Sequence, residues 1–325
     1  FYKYLIMEIS EFKWLNNIYK GINFKMLPHG IIISGPVGIG KKILAKKISE
    51  DLLENKNNKS DEINPLNHPD LFILEKDKIL LHHITYREDK WDDEKGQRNV
   101  NDFLSVTPSI AINKVALIFN AQTMNKAAQN ALLKSLEEPA PNTYIIITTD
   151  RPKSLYETIY SRCQVINIPN ISQSTIDEWL IKNGISDINS NDFPSFSTPL
   201  SILNDIQNDE HHNFKNFINI ISEYVENKID LNLTIKNISS LEINLVTKAN
   251  FLIEFLKILL KSNLLSEDLS GLYKKYNSSK FNNLKISNLI NELNNFRYDY
   301  FKVPQINETH VLNYFLSEVK NSIRI

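Results

Sequence analysis

Seven consecutive residues, Gly35-Pro36-Val37-Gly38-Ile39-Gly40-Lys41, have the types and spacing to hold a phosphate group. Glycines let backbone N–H groups curl around phosphate oxygens, and a following helix adds positive potential at its first turn. A closing lysine can then reach the terminal phosphates. Such a loop must follow a strand and open a helix, and both are legible. Gly30-Ile31-Ile32-Ile33-Ser34 is a continuous apolar run and reads as a buried strand, while Ile43, Leu44, Ile48, Leu52 and Leu53 recur at helical spacing. Gly35, Gly38, Gly40 and Lys41 are therefore candidate nucleotide-binding residues, set against the alternative of a tight turn kept for packing alone.

Hydrolysis demands more than a cradle. The residue after the lysine should be Ser or Thr to hold Mg²⁺, but it is Lys42, which carries donors only. An acidic residue should end a neighbouring apolar strand to hold the same ion, with a second to polarise water. The candidate strand Val115-Ala116-Leu117-Ile118 instead runs into Phe119-Asn120. Losing the hydroxyl and both carboxylates together argues against hydrolysis by this chain, leaves weak ATP or ADP binding as the most the loop would do, and predicts no bound metal.

The elements that position these residues alternate in the first half and do not in the second. Further strands are expected at Leu71 to Glu75, Val115 to Phe119, Tyr144 to Thr148 and Val165 to Ile168, interleaved with helical patterns, which is the signature of a parallel sheet covered by helices. Met124, Ala128, Ala131, Leu132 and Leu136 make one face of a helix that Pro139 and Pro141 stop. Beyond Pro169 no strand is expected, and amphipathic segments at Ser174 to Lys182, Leu200 to Ile206, Phe214 to Tyr224, Leu245 to Leu260, Phe281 to Phe296 and His310 to Val319 dominate. The Asn- and Lys-rich stretches Glu54 to Asn64 and Asn227 to Ser240 read as a loop and a linker. The fold class is α/β followed by all-α.

Composition removes several classes. The 325 residues are 42% hydrophobic and 23% charged, ordinary for a globular chain with more than one core. Lys and Arg total 37 against 38 Asp and Glu, a net charge of -1, so no global positive field holds nucleic acid by counterion release. A single cysteine, Cys163, excludes internal disulfides and cysteine-cage zinc sites. Phe251 to Leu260, the longest apolar stretch near the end, is broken by Glu254 and Lys257 and is too short to cross a bilayer. Phe1 to Met7 is too short for a secretory signal, so a cytoplasmic chain without membrane contact is expected.

Lys114-Val115 through Met124-Asn125, with Ala127-Ala128-Gln129-Asn130-Ala131-Leu132-Leu133-Lys134-Ser135-Leu136-Glu137-Glu138-Pro139, resembles the central signature of bacterial DNA polymerase III clamp-loader subunits, as does Ser161-Arg162-Cys163. His68-Pro69-Asp70 before the strand at Leu71 looks like the delta-prime branch of that AAA+ family. These motifs cover Gly35 to Cys163; the helical half matches in length and pattern only. The resemblance implies a RecA-like module over residues 1–169 with a vestigial loop, a small helical lid over 170–236 and a helical collar over 237–325. It also implies partners: motor subunits and a delta subunit in a pentameric ring, and through that ring a sliding clamp and primer–template DNA.

In that family the non-hydrolysing member offers an arginine finger to its neighbour's ATP site, and the matching residue here is Arg162. A guanidinium is a planar, permanently charged fork suited to a transferring phosphoryl group. Thr148 or Thr149 matches the first nucleotide sensor, whereas Ser197-Thr198-Pro199-Leu200-Ser201, at the second sensor, has no arginine. The alternative reading is an active AAA+ ATPase, either a motor-type loader subunit or a DNA-remodelling enzyme. Many family members carry a four-cysteine zinc module where Asp51 to Asn67 has no cysteine, so no zinc is expected. His82 and His83, on an extended segment at Ile79 to Gln97 that also holds Asp92, Asp93 and Glu94, would point to opposite faces, and His211 and His212 are read the same way. Cys163 reads as a small buried side chain, and Glu137 and Glu138 as helix-end surface residues.

Overall fold

The computed structural model describes residues 7–53, 68–86, 99–269, 271–277, 280–300 and 306–324. Asp92, Asp93, Glu94 and most of the Asp51 to Asn67 stretch lie outside the described residues. The chain divides into two compact units, one of residues 1–172 with 198–201 and one of residues 173–197 with 202–325.

The first unit runs α1 (Lys13–Lys20), β1 (Gly30–Ser34), α2 (Lys41–Leu52), β2 (Leu71–Leu74), α3 (Leu81–Ile84), α4 (Val100–Ser105), β3 (Lys114–Ile118), α5 (Lys126–Glu137), β4 (Thr143–Thr149), α6 (Glu157–Tyr160) and β5 (Gln164–Asn167). Its five strands pair in the order β2-β3-β4-β1-β5, every pair parallel. A parallel sheet is covered on both faces, so its inner strands need unbroken apolar runs rather than alternation. β1 and β3 meet that demand: all five residues of each are buried. Ile32 lies in register with Ile147 on one side and Val165 on the other. Ile32, Ile118 and Ile147 pack with Leu132 and Leu136 of α5 in one core. Asn125 starts α5 by accepting the N–H of Ala128, and Pro139 follows its end.

Asp70 shows how a polar residue builds this unit. Its buried carboxylate accepts the N–H groups of Ser109, Ile110 and Ala111 at 2.7, 2.8 and 2.9 Å, fixing the turn that enters β3. Burial alone would raise its pKa, but the three donors outweigh burial and hold it below the usual carboxylate range.

The second unit holds α7 (Gln173–Lys182), most of α8 (Pro199–Gln207), α9 (Asn213–Val225), α10 (Leu231–Ser239), α11 (Leu245–Leu265), α12 (Asn283–Asp299) and α13 (Glu308–Ser322). Phe217, Ile221, Phe255, Leu256, Leu293 and Leu316 are among the side chains of its core. Two expectations are corrected here. Asn227 to Ser240 is not a linker, because Asp230 caps α10 by accepting the N–H of Leu233, and Thr234, Ile235 and Ile238 are buried. A boundary after residue 236 would therefore cut a helix. The half after Pro169 also contains a strand pair, β6 (Lys280–Phe281) antiparallel to β7 (Ile323–Arg324). No helix among the described residues is long and apolar enough to cross a membrane.

Candidate functional site

In a parallel α/β sheet, ligands bind beyond the carboxyl ends of the strands, where the chain order switches direction. The glycine loop leaves β1 at that edge, between β4 and β5. Gly40 has φ +105°, a left-handed conformation open to glycine, and from it α2 begins.

The carbonyl side of this loop is tied to the rest of its own unit. Lys41 Nζ donates to the carbonyls of Gly35 and Pro36 at 2.7 and 2.6 Å. Thr198 Oγ1 donates to Val37 O at 2.7 Å, Leu200 N to Gly38 O at 3.2 Å, and Trp14 Nε1 to Ile39 O at 2.9 Å. A Cβ on Gly38, whose φ is +74°, would sit 2.4 Å from Thr198 Oγ1. The lysine that should reach a nucleotide thus holds its own loop, and the absent side chain of Gly38 makes room for Thr198. Burial lowers the Lys41 pKa to about 8, with Asp150 pulling it up and Lys42 pushing it down.

Lys42 occupies the neighbourhood where a metal-holding hydroxyl would stand. Its Nζ pairs with Glu75 Oε1 at 2.5 Å, just past the end of β2, and lies 5.4 Å from the centre of the Phe119 ring. Asn120 Nδ2 donates to the same oxygen at 3.3 Å. A tethered ammonium has taken up the carboxylate at this edge, so Glu75 does not present that oxygen to a free cation. Thr148 and Thr149 are both buried and are held locally: Thr148 Oγ1 accepts the N–H of Asn120 at 3.2 Å, and Thr149 Oγ1 lies 3.0 Å from Ser154 Oγ.

Arg162 stands at the other end of the sheet. It follows α6 and precedes β5, whose first residue pairs with Ile31 near the start of β1. The length of β1, about 13 Å for four strand steps, separates its surroundings from the glycine loop. Its Nη2 pairs with Glu137 Oε1 at 2.7 Å, and its Nη1 donates to Thr158 O at 2.9 Å and Ser161 Oγ at 3.2 Å. About a third of the side chain remains exposed. Gly30 makes this possible: a Cβ there would come within 2.9 Å of Cys163 Sγ and 3.1 Å of Arg162 O. Burial pushes the Cys163 thiol up to about 12, which suits packing and not nucleophilic attack.

The structure therefore brings Gly35, Gly38, Gly40, Lys41, Thr148 and Thr149 to one edge and places Arg162 at the opposite one. Sequence reasoning missed the parts played by Glu75, Trp14, Thr198 and Gly30; Glu137 is the exposed helix-end residue expected, and it also pairs with Arg162. Only the glycine at the start of a buried strand carried a readable signal. The histidine geometry is also corrected. Leu81–Ile84 is a helical turn, not an extended segment, and it brings the His82 and His83 ring centres to 4.1 Å; those of His211 and His212 are 3.8 Å apart. A cavity of about 410 Å³ whose lining includes Asn101, Asp102, Lys134, Ser135, Glu138 and Thr143 lies away from the loop, at the strand starts.

The sheet order, the glycine loop and the helical second half define a P-loop-type α/β module followed by a mainly helical region. The family model described as DNA polymerase III, delta subunit, matches residues 11–172, nearly the whole first unit. The chain is similar to DNA polymerase III subunit delta' of Haemophilus influenzae, 43% identical over 26% of this chain and 25% of the relative. It is 33% identical to the delta' subunit of Pseudomonas aeruginosa over 47% of each chain. A Buchnera aphidicola delta' subunit aligns over 93% of this chain and 94% of its own length at 26% identity. The chain matches between a quarter and just over half of the length of the first curated relatives. Over residues 11–172, its first unit, the chain is a member of the delta-prime family of DNA polymerase III clamp-loader subunits.

Proposed function

We propose that the chain is a non-hydrolysing subunit of a replicative clamp loader, which helps place a sliding clamp on primed DNA and lends Arg162 to the ATP site of an adjacent motor subunit. The observation that carries the reading is the separation of Arg162 from the chain's own glycine loop by the length of β1. A guanidinium there cannot serve the loop of its own module and is available to a neighbour. The Lys41 amine turned onto its own loop, the Lys42–Glu75 pair and the missing acids at Phe119 and Asn120 support the absence of hydrolysis. Motor subunits and a delta subunit in a pentameric ring, with the helices from about Leu241 onward as the collar that joins them, are the proposed assembly. Neither a metal nor a nucleotide is required by this role, and any ATP or ADP would be held weakly.

The isolated chain tests the first half of the proposal. It should release no phosphate from ATP above the level of a Lys41→Ala variant, while co-purifying from its native source with a motor subunit and a sliding clamp. A steady rate that Lys41→Ala abolishes would instead make the chain an active AAA+ ATPase. Equilibrium dialysis with ATP measures how much of the cradle survives.

A further inference from the structure

We propose that Asp209, His211 and His212, at the corner between α8 and α9, form a binding site for a divalent transition metal of the zinc type. The corner is built by an irregular turn. Asp209 adopts φ +60°, and the N–H groups of Asp209 and Glu210 return to Ile206 O and Asp205 O at 3.2 and 2.7 Å. Because the backbone turns here, successive histidines do not diverge as they would on a strand. One metal-ligating atom from each of the three side chains lies within 4.8 Å of the other two. His211 Nδ1 is buried with no hydrogen bond, and Asp209 Oδ1 stands 3.8 Å from it.

A tetrahedral zinc with bonds of about 2.0–2.1 Å needs its ligand atoms roughly 3.3 Å apart. The closure required is a side-chain rotation of Asp209 and His212, both exposed, toward the half-buried His211. Two imidazoles and one carboxylate suit zinc or cobalt and not Mg²⁺ or Ca²⁺, and they leave a position for water. The charge of the corner favours a cation as well. Asp205, Asp209 and Glu210 fall within six residues, and burial, with repulsion from Glu210, raises the Asp205 pKa to about 6. Lys215, the next basic residue along the chain, is paired with Asp192 at 3.9 Å. The carboxyl end of α8 adds negative potential, while the start of α9 opposes it. A bound ion would staple the two helices at their junction and would act independently of any ATP site.

The test is a Zn²⁺ titration of the untagged full chain by calorimetry, with Co²⁺ absorption reporting the ligand set. The expected result is one equivalent of Zn²⁺. Its affinity should fall about tenfold or more in His212→Ala and in Asp209→Asn, be unchanged in a His82→Ala/His83→Ala variant, and resist millimolar Mg²⁺. His211→Ala belongs to the same series, but because His211 is half-buried the two exposed variants decide the matter if that protein fails to fold. No zinc uptake, uptake unaltered by His212→Ala and Asp209→Asn, uptake that follows His82 and His83, or displacement by Mg²⁺ would each overturn the proposal.

Discussion

The two ends of β1 are built on opposite plans. At the carboxyl end the side chains that would meet a nucleotide and its metal are bonded within the fold: Lys41 holds the carbonyls of Gly35 and Pro36, Lys42 pairs with Glu75, and the carbonyls of Val37, Gly38 and Ile39 accept from Thr198, Leu200 and Trp14. At the amino end a guanidinium is held by Glu137 and two oxygens of its own loop, yet stays a third exposed. One end ties its cations into the fold, and the other keeps one charge partly open to solvent. The lesson is that glycines with phosphate-loop spacing can also be demanded by packing, because a Cβ on Gly38 would meet Thr198 and one on Gly40 would meet Leu15.

The largest effect that would sharpen this contrast is Gly38→Ala. A Cβ 2.4 Å from Thr198 Oγ1, on a left-handed residue, should cost about 2–4 kcal/mol of stability in urea denaturation without any nucleotide present. If the glycine served a nucleotide alone, the unliganded protein would be unaffected. Next is Gly30→Ala, at the other end. Its Cβ would press on Cys163 Sγ and Arg162 O, so a loss of about 1–3 kcal/mol is expected, with faster alkylation of Cys163 as the loop that carries Arg162 lifts. Unchanged labelling would mean that Gly30 does not set the position of that loop.

Lys41 supplies a pH signature. Its folded pKa, about 8, lies below the ordinary 10.5, so between those values the unfolded chain holds the proton more often and stability rises with pH. Relative to a Lys41→Met variant, the wild-type protein should gain stability from pH 8 to 10, by less than about 1 kcal/mol per pH unit because part of the group is accessible to water. Parallel curves would show that the amine is not buried against the loop. The smallest effect belongs to Glu137→Gln. A half-exposed ion pair contributes about 0–1 kcal/mol to stability, so thermal unfolding should barely move. ATP hydrolysis by the assembled complex should nevertheless fall, as the guanidinium loses one of its guides.

Much of this was readable in the residues. The run Gly30 to Ser34 could be only a buried strand, and the loop and α2 followed from it. Strand bounds moved by one residue or so, since ends are set by pairing partners. The Lys42–Glu75 pair was hidden because its members are 33 positions apart, and Thr198 is 161 positions from Val37; no local pattern joins residues that meet through the sheet. α10 was masked by its Asn- and Lys-rich composition, although the apolar positions Ile235 and Ile238 are buried in the structure. The histidine pairs are not legible because adjacent residues diverge only on an extended backbone, whereas a helical turn and a left-handed corner bring the rings together.

The central claim is that this chain's contribution to ATP chemistry is made from the amino end of its sheet and in another subunit. The direct measurement is ATP hydrolysis and clamp loading by the reconstituted complex carrying Arg162→Ala, with assembly verified. Arginine fingers contribute about 10³–10⁵ in rate at the site they serve. With one of several sites disabled, the bulk rate should fall in part and clamp loading much further, and Arg162→Lys should rescue poorly because an ammonium lacks the planar fork. Full clamp-loading activity in the assembled Arg162→Ala complex would contradict the account.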